Sequence, residues 1–204
     1  MRPKPYLCIK EYLRRTPYAT KLCSPLLALL VAGYFSLHVG LVSAMRQPET
    51  KAVAVASFEQ YLTVGEGKYS YWLWDLYQAR LATPSGKFVD YQQSVPLLLE
   101  LRYLRDITKT EFVDATVDQW GIQAGAVQKQ HKLWAGELTT LWRDVKKGDM
   151  LSAELHADGL ISFYFNQQLL GKTKDPNLGP AFFDIWLSEK TTAPELRQLL
   201  LKLP

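Results

Sequence analysis

Tyr69-Ser70-Tyr71-Trp72-Leu73-Trp74-Asp75-Leu76-Tyr77-Gln78-Ala79-Arg80-Leu81 holds five aromatic rings within nine residues, and from Val64 to Leu81 the only charges are Glu66, Lys68, Asp75 and Arg80. Tyr69, Tyr71, Leu73 and Tyr77 share one parity, Trp72, Trp74 and Leu76 the other. Read as one strand, the segment is apolar on both faces and so is covered on both. One face packs on a core; the other is free to line a ligand pocket.

On either side of this segment the pattern continues in strands. Phe58 to Leu62 precedes it, separated by a turn at Gly65-Glu66-Gly67, and Val95 to Arg105 follows a loop containing Pro84-Ser85-Gly86. Helices come next. Thr108-Lys109-Thr110-Glu111 is a capping box, with Phe112, Val113, Thr116, Val117 and Trp120 at helical spacing behind it and Gly121 as its stop. A longer helix is expected from Gln123 to Arg143, its buried stripe carrying Val127, His131, Trp134, Leu138, Leu141 and Trp142. Strands return at Met150 to His156, Leu160 to Phe165 and Leu169-Leu170, and form an antiparallel meander. Two helices finish the chain, one over Pro180 to Leu187 and one opened by a second capping box, Thr192-Ala193-Pro194-Glu195. Strands, helices, strands, helices in that order predict an α+β fold, an antiparallel sheet with helices layered on it.

Residues 1 to 44 differ in kind. Arg2, Lys4, Lys10, Arg14, Arg15 and Lys21 precede an apolar run from Leu22 to Ala44 that ends in Val42-Ser43-Ala44, the pattern of an export signal. The run of about 20 residues is also long enough for an uncleaved anchor, and translation starting later than Met1 would shorten the leader. The leader holds six of the 24 Lys+Arg and one of the 20 Asp+Glu, leaving 18 against 19, so the remaining domain is nearly neutral. A nucleic-acid partner therefore has no electrostatic basis. Both cysteines, Cys8 and Cys23, lie in the leader, so the rest of the chain forms no disulfide. Residues 45 to 57 read as a linker, and residues 58 to 204 as one domain.

Few chemical motifs survive scrutiny. His38, His131 and His156 are not paired at ligand spacing, so no metal centre is expected. Gly171-Lys172-Thr173 ends like a phosphate loop but lacks the earlier glycine, with Asn166 in its place, and the following helix. Gly65-Glu66-Gly67 lacks the third glycine of a dinucleotide fingerprint. His131 sits on the core-facing stripe, as a hydrogen-bonded core histidine or as a polar group shown to a ligand. Arg105 ends the row Leu97, Leu99, Leu101, Tyr103, either in a salt bridge pinning strand to helix or as an anchor for a ligand carboxylate. Tyr69, Tyr71 and Tyr77 are core residues or phenolic donors to an apolar pocket.

Gly65-Glu66-Gly67, Trp72 to Leu81, Tyr103-Leu104-Arg105-Asp106-Ile107, Asp144 to Asp149, Leu169-Leu170-Gly171 and Phe182 to Glu189 together resemble the exported bacterial branch of the chalcone isomerase-like family, from about Phe58 to Leu203. The resemblance implies an open-faced sandwich, an antiparallel sheet with helices on one face and a small-molecule cleft between them, and no cofactor. Enzymes of the family close a chalcone to a flavanone with an arginine on an early strand; plastid relatives bind fatty acids. Here that arginine's position falls near Gly65, with Lys68 the closest cation. The family's tyrosine falls near Gln130 or His131, and its hydroxyl residue near Pro180. Without the arginine a developing enolate loses its main stabiliser, on the order of several kcal/mol.

The expectation is a non-catalytic exported domain, periplasmic or held at the inner membrane with the domain in the periplasm. It binds a small apolar molecule such as a fatty acid through Tyr69, Tyr71, Tyr77, Arg105 and His131, and touches the membrane only through its N-terminal segment. Two alternatives are an intramolecular lyase with an altered site that uses Tyr69, Tyr71 or His131 as acid or base, and a cell-envelope interaction protein whose cleft is filled by its own side chains.

Overall fold

The computed structural model describes residues 56–71 and 73–204; the leader, most of the linker and Trp72 lie outside them. Six strands form one antiparallel sheet in the order β1-β2-β3-β4-β5-β6. They are β1 (Leu62–Tyr71), β2 (Trp74–Thr83), β3 (Leu97–Tyr103), β4 (Met150–Leu155), β5 (Ile161–Phe165) and β6 (Gln168–Lys172). Helices α1 (Lys109–Ala124) and α2 (Lys129–Leu141) separate β3 from β4, and α3 (Leu178–Leu187) and α4 (Pro194–Leu201) close the chain. This is the expected α+β architecture. Its long β3-to-β4 connection is helical, so the strand order stays that of a simple meander.

The aromatic segment is two strands. Tyr71 pairs with Trp74 and Tyr69 with Tyr77, so the chain reverses between them. Where the spacing predicts one strand buried on both faces the structure has a hairpin, across which Tyr69 meets Tyr77 of its own parity and Tyr71 meets Trp74 of the other. Gly65-Glu66-Gly67, expected as a turn, lies inside β1 opposite Leu81, Arg80 and Ala79. These glycines serve packing: a Cβ on Gly65 would lie 2.2 Å from the Leu199 carbonyl oxygen of α4, and one on Gly67 2.8 Å from the Leu196 and Leu199 side chains. Helix α4 rests directly on the backbone of β1.

Four further expectations are corrected. Phe58 lies in a turn, and Phe58 and Tyr61 pack on the side of the sheet away from the helices, against Ala82 and Leu98. Gly121 does not stop α1, which runs on to Ala124 and ends at Gly125 in the left-handed conformation; Gly121 instead leaves room for Val127, which would sit 2.7 Å from a Cβ. Val127 is exposed and α2 begins only at Lys129, so the single long helix is two. Thr108 and Glu111 form the reciprocal cap at α1. The second box does not form, because Thr192 Oγ1 bonds Gln119 Oε1 while Ala193 stands at the N-cap of α4.

The core fills the space between sheet and helices. Leu81, Leu97, Leu99, Leu101 and Tyr103 are at most 2% exposed, and Phe163, Phe182 and Phe183 are fully buried. Each buried side chain of this size contributes about 1.5–3 kcal/mol, so the roofed side of the sheet dominates stability. Gly65→Ala is expected to cost roughly 3 kcal/mol or more in urea unfolding, since backbone would have to move. Gly125→Ala, with φ +82° but nothing within 4 Å of its Cβ, should cost only about 1–2 kcal/mol.

Candidate functional site

The sheet register settles which side chains meet the helices. Tyr69 faces them from β1, Tyr77, Ala79 and Leu81 from β2, Leu97, Leu99, Leu101 and Tyr103 from β3, Leu151, Ala153 and Leu155 from β4, and Ile161, Phe163 and Phe165 from β5. None carries a charge. Glu66, Lys68, Arg80, Glu100, Arg102 and Glu154 alternate with them and lie on the other face, where Arg80 Nε pairs with Glu100 Oε2 at 2.6 Å.

Within the roofed side the aromatic groups close a ring. Tyr77 meets Tyr103 edge-on (6.0 Å between centroids), Tyr103 meets Phe112 (5.7 Å), and Phe112 stacks on Trp142 (4.1 Å). Trp142 meets Phe182 (6.0 Å) and Phe182 meets Trp186 (5.2 Å). Trp186 Nε1 then donates to Tyr77 Oη at 2.9 Å. The ring joins β2 and β3 to α1, to the residue after α2 and to α3, and Tyr69 stacks on its edge, 5.2 Å from Tyr77.

Two polar atoms in this ring have no hydrogen-bond partner. Tyr103 Oη and Trp142 Nε1 are buried and unbonded among the described residues. Each forgoes the roughly 1–3 kcal/mol that a buried polar group needs from a partner. Burial holds the Tyr69, Tyr77 and Tyr103 phenols above their ordinary range, with the indole N–H of Trp186 opposing the rise at Tyr77. All three are neutral at physiological pH, so the site offers hydroxyl and indole groups in an uncharged, dry environment. Tyr103 stands within the row that Arg105 closes and is not among the site residues that the sequence singles out. The available signal was one polar atom in a row otherwise buried and apolar.

The residues singled out from sequence fall in two places. Tyr69, Tyr71, Tyr77 and Arg105 gather at the hairpin end of β1, β2 and β3: Tyr71 opposes Trp74, and the Arg105 guanidinium lies over the Trp74 ring, 5.9 Å from its centroid. Arg105 makes no salt bridge among the described residues, and Asp106 accepts from the Lys147 backbone N–H instead. The expected bridge to the following helix is therefore not made, and a cation–π contact takes its place. His131 stands apart. Its Nδ1 accepts the Gln128 N–H at 3.2 Å at the start of α2, and its ring contacts both Trp120 and Trp134. Burial lowers its pKa, and the accepting Nδ1 places the proton on Nε2.

Gly65 lies where the resemblance would place the enzymes' arginine. The position faces the helices, and the α4 backbone occupies the place where a side chain would begin. Lys68 points to the other face and pairs with Asp75 at 2.7 Å. No cation reaches the roofed side from β1.

An uncharged aromatic interior between an antiparallel meander and a helical roof defines a small open-faced α+β sandwich of the kind that can enclose an apolar molecule. The family model described as "Chalcone isomerase-like" matches residues 70–202, and the chain belongs to that family. A solved structure of an Arabidopsis thaliana fatty-acid binding protein superposes with a TM-score of 0.55 at 10% identity, over 72% of this chain and 90% of that one, a likeness of fold. No curated protein matches the sequence.

Two measurements check this account. Tyr77→Phe strands the Trp186 indole and should cost about 1–3 kcal/mol, whereas Tyr103→Phe removes an unpaired hydroxyl and should leave stability unchanged or raised. The raised phenols fix a sign: stability is complete below the unfolded tyrosine pKa of about 10 and falls as pH rises above it, because only the unfolded chain ionises readily there. Urea unfolding across that range should show the decline, shallower in Tyr77→Phe.

Proposed function

We propose that this protein is an exported, non-catalytic ligand-binding member of the chalcone isomerase-like family, and that its ligand is a small, mostly apolar molecule of the fatty-acid class. The unpaired Tyr103 hydroxyl in a charge-free aromatic ring carries the reading: it is a donor kept dry and without a protein partner. The fold likeness to a fatty-acid binding protein supports it. Arg105 supplies the polar end, a guanidinium without an ion pair above Trp74, two residues beyond Tyr103. A carboxylate on Arg105 leaves the alkyl chain to run past Tyr77 towards Tyr103. Export rests on the basic leader and the apolar run to Ala44.

The absence of room at Gly65 argues against inherited ring closure, since an oxyanion formed there would meet no cation from β1. Protein purified from cells should release fatty acid in native mass spectrometry, and added fatty acid should raise its melting temperature. Arg105→Ala should weaken binding of the acid roughly tenfold or more while hardly changing that of the corresponding alcohol. Tyr103→Phe should bind about fivefold less tightly without losing stability. Protein that emerges empty and shows no thermal shift with fatty acids rejects the binding reading; a mature N-terminus at Met45 would establish cleavage after Ala44.

A further inference from the structure

One end of the sheet gathers the β1–β2 reversal, the segment between β3 and α1, the segment between α2 and β4, and the β5–β6 turn. Their backbones are joined there: Leu104 N donates to Leu76 O, Gly148 N to Tyr103 O, Ile107 and Val145 bond reciprocally, and Asn166 N donates to Met150 O. At this end Leu73 is 81% exposed and Trp74 58%, next to the half-buried Tyr71. An apolar tip of Leu and Trp, backed by tyrosine and an arginine on the indole face, is costly in water and matches the composition of a membrane interface.

The charges of this end are arranged unequally. Asp106, Asp144 and Asp149 accept from the backbone N–H groups of Lys147, Lys109 and Lys146, and Asp149 also from Asn166 Nδ2, so three acids, Asp106 and Asp144 exposed, stand against five cations. Lys68 and Asp75 neutralise each other. Arg105 and Arg143 lie over the rings of Trp74 and Phe165, Arg102 donates to the Gly148 carbonyl, and the Lys146 and Lys147 side chains are exposed. None of these five cations is in a salt bridge among the described residues. Lys and Arg side chains free of ion pairs are drawn to an anionic bilayer surface.

The described chain also begins here. Ala56 N donates to Gln167 O in the β5–β6 turn at 2.9 Å. Residues 45–55, which separate it from the apolar run ending at Ala44, reach at most about 40 Å. While the leader is attached and in a bilayer, this end of the sheet stays within reach of the same surface.

We propose that this end is a peripheral membrane-docking face for an anionic bilayer, with Leu73 and Trp74 entering the interface and Arg102, Arg143, Lys146 and Lys147 meeting lipid headgroups. It is a second membrane contact, beyond the N-terminal segment. Docking of this kind needs no ligand in the aromatic ring, so its success or failure is separate from that of fatty-acid binding.

The test places a nitroxide on Leu73→Cys or, as control, on Leu133→Cys, an exposed position on α2, in the full chain with Cys8→Ser and Cys23→Ser. The protein is made cell-free into nanodiscs of phosphatidylglycerol with phosphatidylcholine, or of phosphatidylcholine alone. The label at 73 is expected to become accessible to oxygen and shielded from a water-soluble nickel chelate in the anionic discs, while the label at 133 stays aqueous in both. Lys146→Glu with Lys147→Glu should lower the immersed-to-aqueous ratio at 73 at least about tenfold. A label at 73 as aqueous as the one at 133 overturns the proposal. So does immersion that is indifferent both to lipid charge and to the lysine reversal.

Discussion

A sheet with one face free of charge must be roofed, and most of this structure follows from how closely the roof sits. Tyr69, Tyr77, Leu81, Leu97, Leu99, Leu101, Tyr103 and Phe163 cannot be left in water together. The helices that cover them approach to backbone distance at β1, where Gly65 and Gly67 remove the only side chains that would hold α4 away. The same closeness brings α3 near enough for Trp186 to donate to Tyr77. Packing thus sets the positions of the phenols, and their neutrality follows from the burial that packing imposes.

The other face obeys a different rule. It alternates with the core positions and keeps the charges, so it needs only partial cover. Phe58 and Tyr61 supply it over Ala82 and Leu98, and Tyr61 Oη and Tyr164 Oη both donate to the Glu154 carboxylate. Burial and that carboxylate together raise both phenols, Tyr164 to about 12. The segment before β1 is therefore fastened along the sheet by aromatic contact and by hydrogen bonds to a charged acceptor, which are the stronger kind. It runs from the docking end, at Ala56, to the far end, where Leu62 opposes Thr83.

The sequence was legible where periodicity and composition act locally. The capping box at Thr108, the leucine row of β3, the order of elements and the chalcone isomerase-like resemblance all hold in the structure. It misled where a glycine had two physical uses. Gly65, Gly67 and Gly121 read as chain-turning residues in the sequence and are places of close approach in the structure, for Gly65 and Gly67 to a helix far along the chain that no local pattern encodes. The aromatic segment failed for a related reason: a hairpin without glycine, proline or asparagine at its reversal carries no turn signal, so parity alone could not locate it. Thr192 found Gln119, 73 residues away, in place of its own helix. The gathering of Tyr69, Tyr71, Tyr77 and Arg105 depended on that hairpin, whereas His131 was separated from them by the break between α1 and α2.

A glycine at position 65, near which the resemblance would place the enzymes' arginine, is intelligible on these terms. What the fold requires is an apolar roofed face and a helix that can lie on β1; a cation on that face is required only by chemistry that develops charge there. Once α4 rests on Gly65, restoring an arginine would mean lifting the helix and exposing Leu196 and Leu200, a cost in burial of roughly 1.5–3 kcal/mol for each. The packing that seals the core therefore keeps cations off the roofed face along β1 and leaves neutral polar groups inside it, among them the unpaired Tyr103 hydroxyl.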